Sequence, residues 1–244
     1  MLKAAIEKIQ SMTTPQVIQC NDKRVIISND GSYNEIVMDL EEVQSINLTS
    51  LDAVVQFVRT EAVHMTDSIL YLTVPTHERV HCFTSPDSGK RNHRTFFYAA
   101  DATDVPGWGA NMKMGFEEAQ IALRTRFQET SDSLYAQKLL SDICTGSQVT
   151  FNDNGIATTV TTTRGVALQS KEAIRPIVKL RPYRTFQEID QPVSEFLIRL
   201  SDRAISFIEA DGGMWKLTAR KSIKAYLEKH LSDLIERERV VVTL

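Results

Sequence analysis

The stretch RPIVKLRPYRTFQEIDQPVSEFLIRLSDRAISFIEADGGMWKLTARKSIKAYLEKHLSDLIER, residues 175–237, decides the fold class. In its first part apolar and polar residues alternate, so PIVKLRPY, SEFLIRLS and AISFIEA each read as a strand. Asp211-Gly212-Gly213 ends that alternation. From Met214 to Arg237 the apolar residues Trp215, Ile223, Tyr226, Leu227, Leu231 and Leu234 recur at helical spacing, which predicts one long amphipathic helix. Strands in a group followed by a helix argue for α+β, because a doubly wound parallel sheet needs the two kinds of element to alternate.

The rest of the chain keeps this grouping. Working back, QVTFND and IATTVTTT flank Asn154-Gly155, the strongest short-range hairpin signal in the sequence, which predicts a hairpin over 147–163. Before it lie two helices, FEEAQIALRTRFQ with Phe116, Ala119, Leu123 and Phe127 on one face, and SDSLYAQKLLSDI with Leu134, Leu139, Leu140 and Ile143 inward. SILYLTV, ERVHCFT and HRTFFYAADAT form a predicted three-strand meander, and Thr49 or Ser50 caps a helix whose stripe is Leu51, Val54, Val55 and Val58. At the start, an amphipathic helix with Leu2, Ala5, Ile6 and Ile9 on one stripe precedes the short strands QVIQC, KRVIIS and EIVMDL. The last run, VVVTL, reads as a returning strand. The expected architecture is antiparallel-rich sheets with packed helices, divided softly near Thr145 into an N-terminal α+β part (1–145) and a β-rich C-terminal part (146–244), or else a single domain across that point.

Composition excludes several classes. The chain has 244 residues, 42% hydrophobic and 24% charged, with a net charge of −3, so it is no wholesale coat for nucleic acid. Residues 170–244 are mildly basic, with 14 Lys and Arg against 11 Asp and Glu. Cys20, Cys82 and Cys144 form no C-x-x-C pair and read as buried thiols in a reducing compartment. Neither a signal peptide nor an apolar run of membrane-spanning length is present, which leads us to expect a cytoplasmic protein without a membrane partner. The phosphate-loop, dinucleotide, zinc-protease and nucleophile-elbow motifs are all missing from the sequence.

Four constellations carry chemistry. Along the strand from Arg175, the residues Arg175, Lys179 and Arg181 share one face and Val178 and Leu180 the other; with Tyr183 and Arg184 the polar face offers cations for phosphates and a ring for a base. A strand at 194–201 beside it would add Glu195 to that face and neutralise part of it. Glu209, Asp211 and Lys216 resemble the acidic pair and lysine of a metal-dependent nuclease, but two glycines separate them, and Asp211 as a helix cap explains them better. On the following helix, Lys216, Arg220, Lys221 and Lys224 form a basic face, a pattern ordinarily just solvated. His77 and His81 on one strand face with His93 across a hairpin make a conceivable metal triad, though surface histidines are the commoner outcome, and no metal or cofactor is expected. The glycine-rich segment VPGWGANMKMG presents Trp108, Met112 and Met114, large apolar groups that would pack against another subunit or partner, or fold back on their own domain.

RPYRTFQEIDQPVSEFLIRL (181–200) and EADGGMWKLTARKSIKAYLEKHL (209–231) resemble the C-terminal signature of a family of tailed-bacteriophage and prophage proteins, the YfdQ-like proteins. The family has no established activity, so the resemblance implies a context and no residue roles. That context is a phage-encoded accessory protein in the cytoplasm of the host bacterium. The expectation is a self-associating protein that acts by binding a nucleic acid, a nucleotide or a host defence protein, and not an enzyme. The rivals are a phosphate-directed nuclease using Glu209, Asp211 and Lys216, and a structural protein of the virion.

Overall fold

The computed structural model describes residues 2–13, 16–20, 23–27, 33–36, 45–65, 68–85, 96–108, 113–145, 148–153, 158–164, 168–201 and 204–244. Two units divide the chain: Met1–Gln44 with Pro86–Thr95, and Ser45–Ser85 with Phe96–Leu244. The first contains α1 (Leu2–Thr13) and an antiparallel sheet of β1 (Gln16–Cys20), β2 (Lys23–Ile27) and β3 (Tyr33–Ile36) in chain order. Leu2 and Ile6 of the expected apolar stripe are exposed.

The second unit holds two hydrophobic cores. One sheet has the order β16-β5-β6-β7-β4. It is formed by β4 (Ile46–Leu48), the meander β5 (Leu70–Thr76), β6 (Arg79–Thr84) and β7 (Phe96–Asp101), and the final β16 (Val240–Thr243). The meander pairs antiparallel as its sequence predicts, whereas β4 and β16 join its two edges in parallel. Pro75, which has no N–H to donate, sits where the β5–β6 register shifts between Thr73 and Thr76. Packed with this sheet are α2 (Leu51–His64), through Leu51, Val54, Val58 and Ala62, and α5 (Trp215–His230), through Ile223 and Leu227.

The second core lies between another sheet and the helices α3 (Phe116–Thr125) and α4 (Ser131–Thr145). The sheet order is β8-β15-β14-β13-β9, all antiparallel, built from β8 (Lys113–Gly115), β9 (Phe127–Gln128), β13 (Ile177–Pro182), β14 (Ser194–Ser201) and β15 (Ala204–Glu209). Val178, Leu180, Phe196, Ile198, Leu200, Ile205 and Phe207 alternate into the core, as their spacing dictates. A further sheet, β10 (Gln148–Asp153), β11 (Thr158–Arg164) and β12 (Leu168–Ala173), contains the expected hairpin, paired from Gln148↔Thr163 to Asp153↔Thr158; Asn154-Gly155 lies outside the described residues. Both cores draw residues from either side of residue 145. The architecture is α+β with antiparallel-rich sheets.

Three local expectations are corrected. The helix expected over 214–237 stops at His230 and resumes as α6 (Ser232–Glu236), because Leu231, with φ −119° and ψ 17°, leaves helical geometry. The cause is a competitor for the backbone: Arg59 Nη2 donates to the His230 carbonyl at 2.6 Å, and Leu234 N turns to Leu231 O at 3.0 Å instead. Leu134, expected inward on α4, is 48% exposed. A reciprocal cap explains it: Ser133 N donates to Thr130 Oγ1 at 3.0 Å and Thr130 N to Ser133 Oγ at 2.8 Å, which turns Ser133 into the core and its neighbour out. Phe127, expected to extend α3, is buried on β9 instead, since α3 ends at Thr125.

Candidate functional site

The basic row exists as a surface, with Lys179 and Arg181 on β13 and Arg175 two residues before it, but it is not free. Lys179 stands opposite Glu195, and their side chains meet at 3.4 Å. The first turn of α4 holds the start of the strand: Asp132 Oδ2 accepts from Lys179 N at 2.7 Å, and its Oδ1 lies 3.6 Å from Arg175 Nη1. The Arg175 guanidinium sits 4.7 Å over the Tyr135 ring. Two of the three cations are therefore answered by carboxylates. Arg181 is half-buried opposite Gln128, and Tyr183 N donates to Arg126 O at 2.9 Å.

Arg184 departs from the expected surface altogether. Its side chain is 7% exposed, with Nη1 2.5 Å from Glu209 Oε1 and 3.3 Å from Ser194 Oγ. The guanidinium lies 4.4 Å over the Trp215 ring and 5.3 Å over that of Phe196. Burial pulls its pKa below the ordinary value, and the Glu209 carboxylate opposes that shift. Arg184 follows the end of β13, where strand alternation no longer predicts direction. Buried Gln191 sets the backbone there: its Oε1 accepts from Arg184 N (2.9 Å) and Thr185 N (3.3 Å), and its Nε2 donates to Phe186 O (3.0 Å). Nothing in sequence spacing marked Gln191 or Ser194 for these roles.

The nuclease constellation is also absorbed into the scaffold. Glu209 is engaged by Arg184, and Asp211 Oδ1 accepts from Gly213 N at 3.0 Å. Asp211 thus closes the turn before α5 and makes no side-chain bond to the helix's own N–H groups, correcting its assignment as the cap. Gly212 and Gly213 hold φ of +63° and +80°, the left-handed region that glycine enters without steric cost. Lys216 is exposed, its ammonium 5.8 Å from the Trp215 ring centroid.

The histidines do not share a strand face. His77 occupies the β5–β6 turn, its ring edge on Trp215 at 4.6 Å and its Nε2 3.2 Å from Glu78, while His81 lies on β6 and His93 outside the described residues. Burial lowers the pKa of both His77 and His81. Among the described residues no group of three or more His, Cys, Asp or Glu is placed to hold a metal ion. Cys82 is a buried thiol, pushed up to about 12 by that burial.

No family model, no curated protein and no solved structure matches this chain.

Trp108 and Met114, on either side of residues 109–112, pack on the core of their own unit. Met114 is 4% exposed on β8, and the Trp108 ring packs edge-on against Phe127 at 4.6 Å and Phe207 at 6.0 Å. Met114 is thus buried within its own chain and Trp108 half-buried; Met112 lies outside the described residues. Among the described residues no helix is long and apolar enough to cross a membrane.

Among the described residues, a further group of cations lies along one flank of α5. Lys216 and Lys221 are exposed and Arg220 and Lys224 half-buried, on the flank that adjoins the buried stripe of Ala219, Ile223 and Leu227.

Proposed function

We propose that the chain acts by binding rather than by catalysis, as an accessory protein encoded by a tailed phage or prophage and working in the host cytoplasm. The genetic context rests on the two C-terminal segments, 181–200 and 209–231. The mode of action rests on one observation: the carboxylates that the sequence offers for metal-dependent hydrolysis are committed elsewhere, Glu209 to Arg184 and Asp211 to Gly213 N. A hydrolytic site would need them open toward a divalent ion and a phosphate.

The test is incubation of the purified full-length chain with labelled single- and double-stranded DNA and RNA, with Mg²⁺ or Mn²⁺ and with chelator. All substrates should stay intact. Metal-dependent cleavage, stopped by chelator and by Asp211→Ala, would replace this reading with the nuclease one. The native mass of the same preparation decides self-association, and its absorbance ratio reports any co-purified nucleic acid or nucleotide.

A further inference from the structure

We propose that the basic flank of α5 binds the phosphate backbone of a nucleic acid through Lys216, Arg220, Lys221 and Lys224, an assignment that rests on binding as the chain's mode of action. Helical geometry places these four within about 140° of arc and along about 12 Å of axis. Among the described residues neither Lys216 nor Lys221 meets a carboxylate, and only Lys224 has one nearby, Glu228 at 3.6 Å. Arg220 donates through Nε to Val74 O at 2.8 Å, which fixes its guanidinium beside β5 while leaving its remaining N–H groups for another acceptor. The β13 row is more fully answered, since two of its three cations, Lys179 and Arg175, lie within 4 Å of a carboxylate, against one of the four on α5. Net positive charge therefore collects on α5 although the chain as a whole carries −3.

The same flank argues for nucleic acid over an anionic membrane. A membrane-bound helix needs a broad apolar strip beside its cations. Here Trp215, Ala219, Ile223 and Leu227 are buried in the protein, and only Leu217 (39%) and Met214 (65%) are exposed large apolar groups on or next to the helix. Duplex DNA carries one charge per about 3.4 Å on each strand, so a 12 Å flank laid along one strand faces roughly three to four phosphate charges.

Fluorescence anisotropy of the full chain with labelled single-stranded and duplex oligonucleotides tests this. The wild type should bind at low salt. Four phosphate contacts on duplex predict roughly a 150-fold loss of affinity between about 50 and 200 mM salt. K216A/K221A/K224A should weaken binding about tenfold or more and reduce the salt slope by about 2–3, and the corresponding triple arginine variant should keep both. If the triple alanine variant fails to fold, Lys221→Glu carries the test, being exposed and without an ionic partner. Absence of binding at low salt, equal binding by the alanine variant, or binding to phosphatidylserine vesicles but to neither oligonucleotide overturns the assignment. These outcomes are separate from metal-dependent cleavage, which would overturn binding as the mode of action and leave the flank's contribution to affinity readable.

Discussion

Arg184 carries its charge into the interior with one carboxylate, Glu209, to answer it, and two rings against its faces. Removing one member of such a pair leaves the other uncompensated, which costs more than the pair itself contributes. Glu209 retains 19% exposure, so water relieves part of that cost. Arg184→Ala should therefore lower stability by about 3 kcal/mol in urea unfolding, while Arg184→Met combined with Glu209→Leu should fall within about 1 kcal/mol of the wild type. A single alanine variant as stable as the wild type would show that the buried pair is not formed. This residue also marks where strand alternation ceases to specify side-chain direction. Up to Pro182 the alternation fixes which face each side chain takes, and Lys179 opposite Glu195 follows from it. One residue past Tyr183 the backbone is irregular, its direction is set by Gln191, and no local pattern encodes that.

At the scale of elements, α2 shows both kinds of information. Its N-cap is local: Ser50 Oγ accepts from Ala53 N at 3.1 Å, which Ser-Leu-Asp before an apolar stripe announces. Its second cap comes from 137 positions away, where Glu188 Oε1 accepts from Leu51 N at 2.7 Å, a carboxylate at the positive end of the helix. Glu188→Ala should cost about 1 kcal/mol and lower the urea midpoint without changing the slope. A midpoint unmoved by the substitution would remove Glu188 from the cap. The break at Leu231 is illegible for the same reason. The apolar positions run on unbroken to Leu234, and only a guanidinium from α2, brought by the fold to the His230 carbonyl, ends the helix early.

Across the whole second unit, the last strand depends on partners far back in the chain. The sequence makes VVVTL a strand by composition but names no partner for it; the fold sets it parallel to β5, with Val240 beside Leu70 and Thr243 Oγ1 donating to Leu72 O across 171 positions. No tight turn joins the two strands: β5 runs directly into β6, and α5 and α6 bring the chain to β16 from β15 of the other sheet, so register is set by tertiary packing alone. Val240 and Val242 are 1% and 8% exposed in the core that also holds Leu70 and Leu72. Burial of a valine contributes about 1.5–3 kcal/mol. Losing both removes about 3–6 kcal/mol before the uncovered leucines and the unpaired edge of β5 are counted, which approaches the whole stability of an ordinary domain, about 5–15 kcal/mol. Deletion of residues 240–244 should accordingly abolish or severely weaken the cooperative unfolding transition seen by circular dichroism. Leu244→Ser, at an end position that is 44% exposed, should shift it by about 0.5 kcal/mol or less. Should the truncated chain unfold at the wild-type midpoint, β16 would be an ornament to a core that is complete without it, and the parallel closure of the sheet would have to be given up.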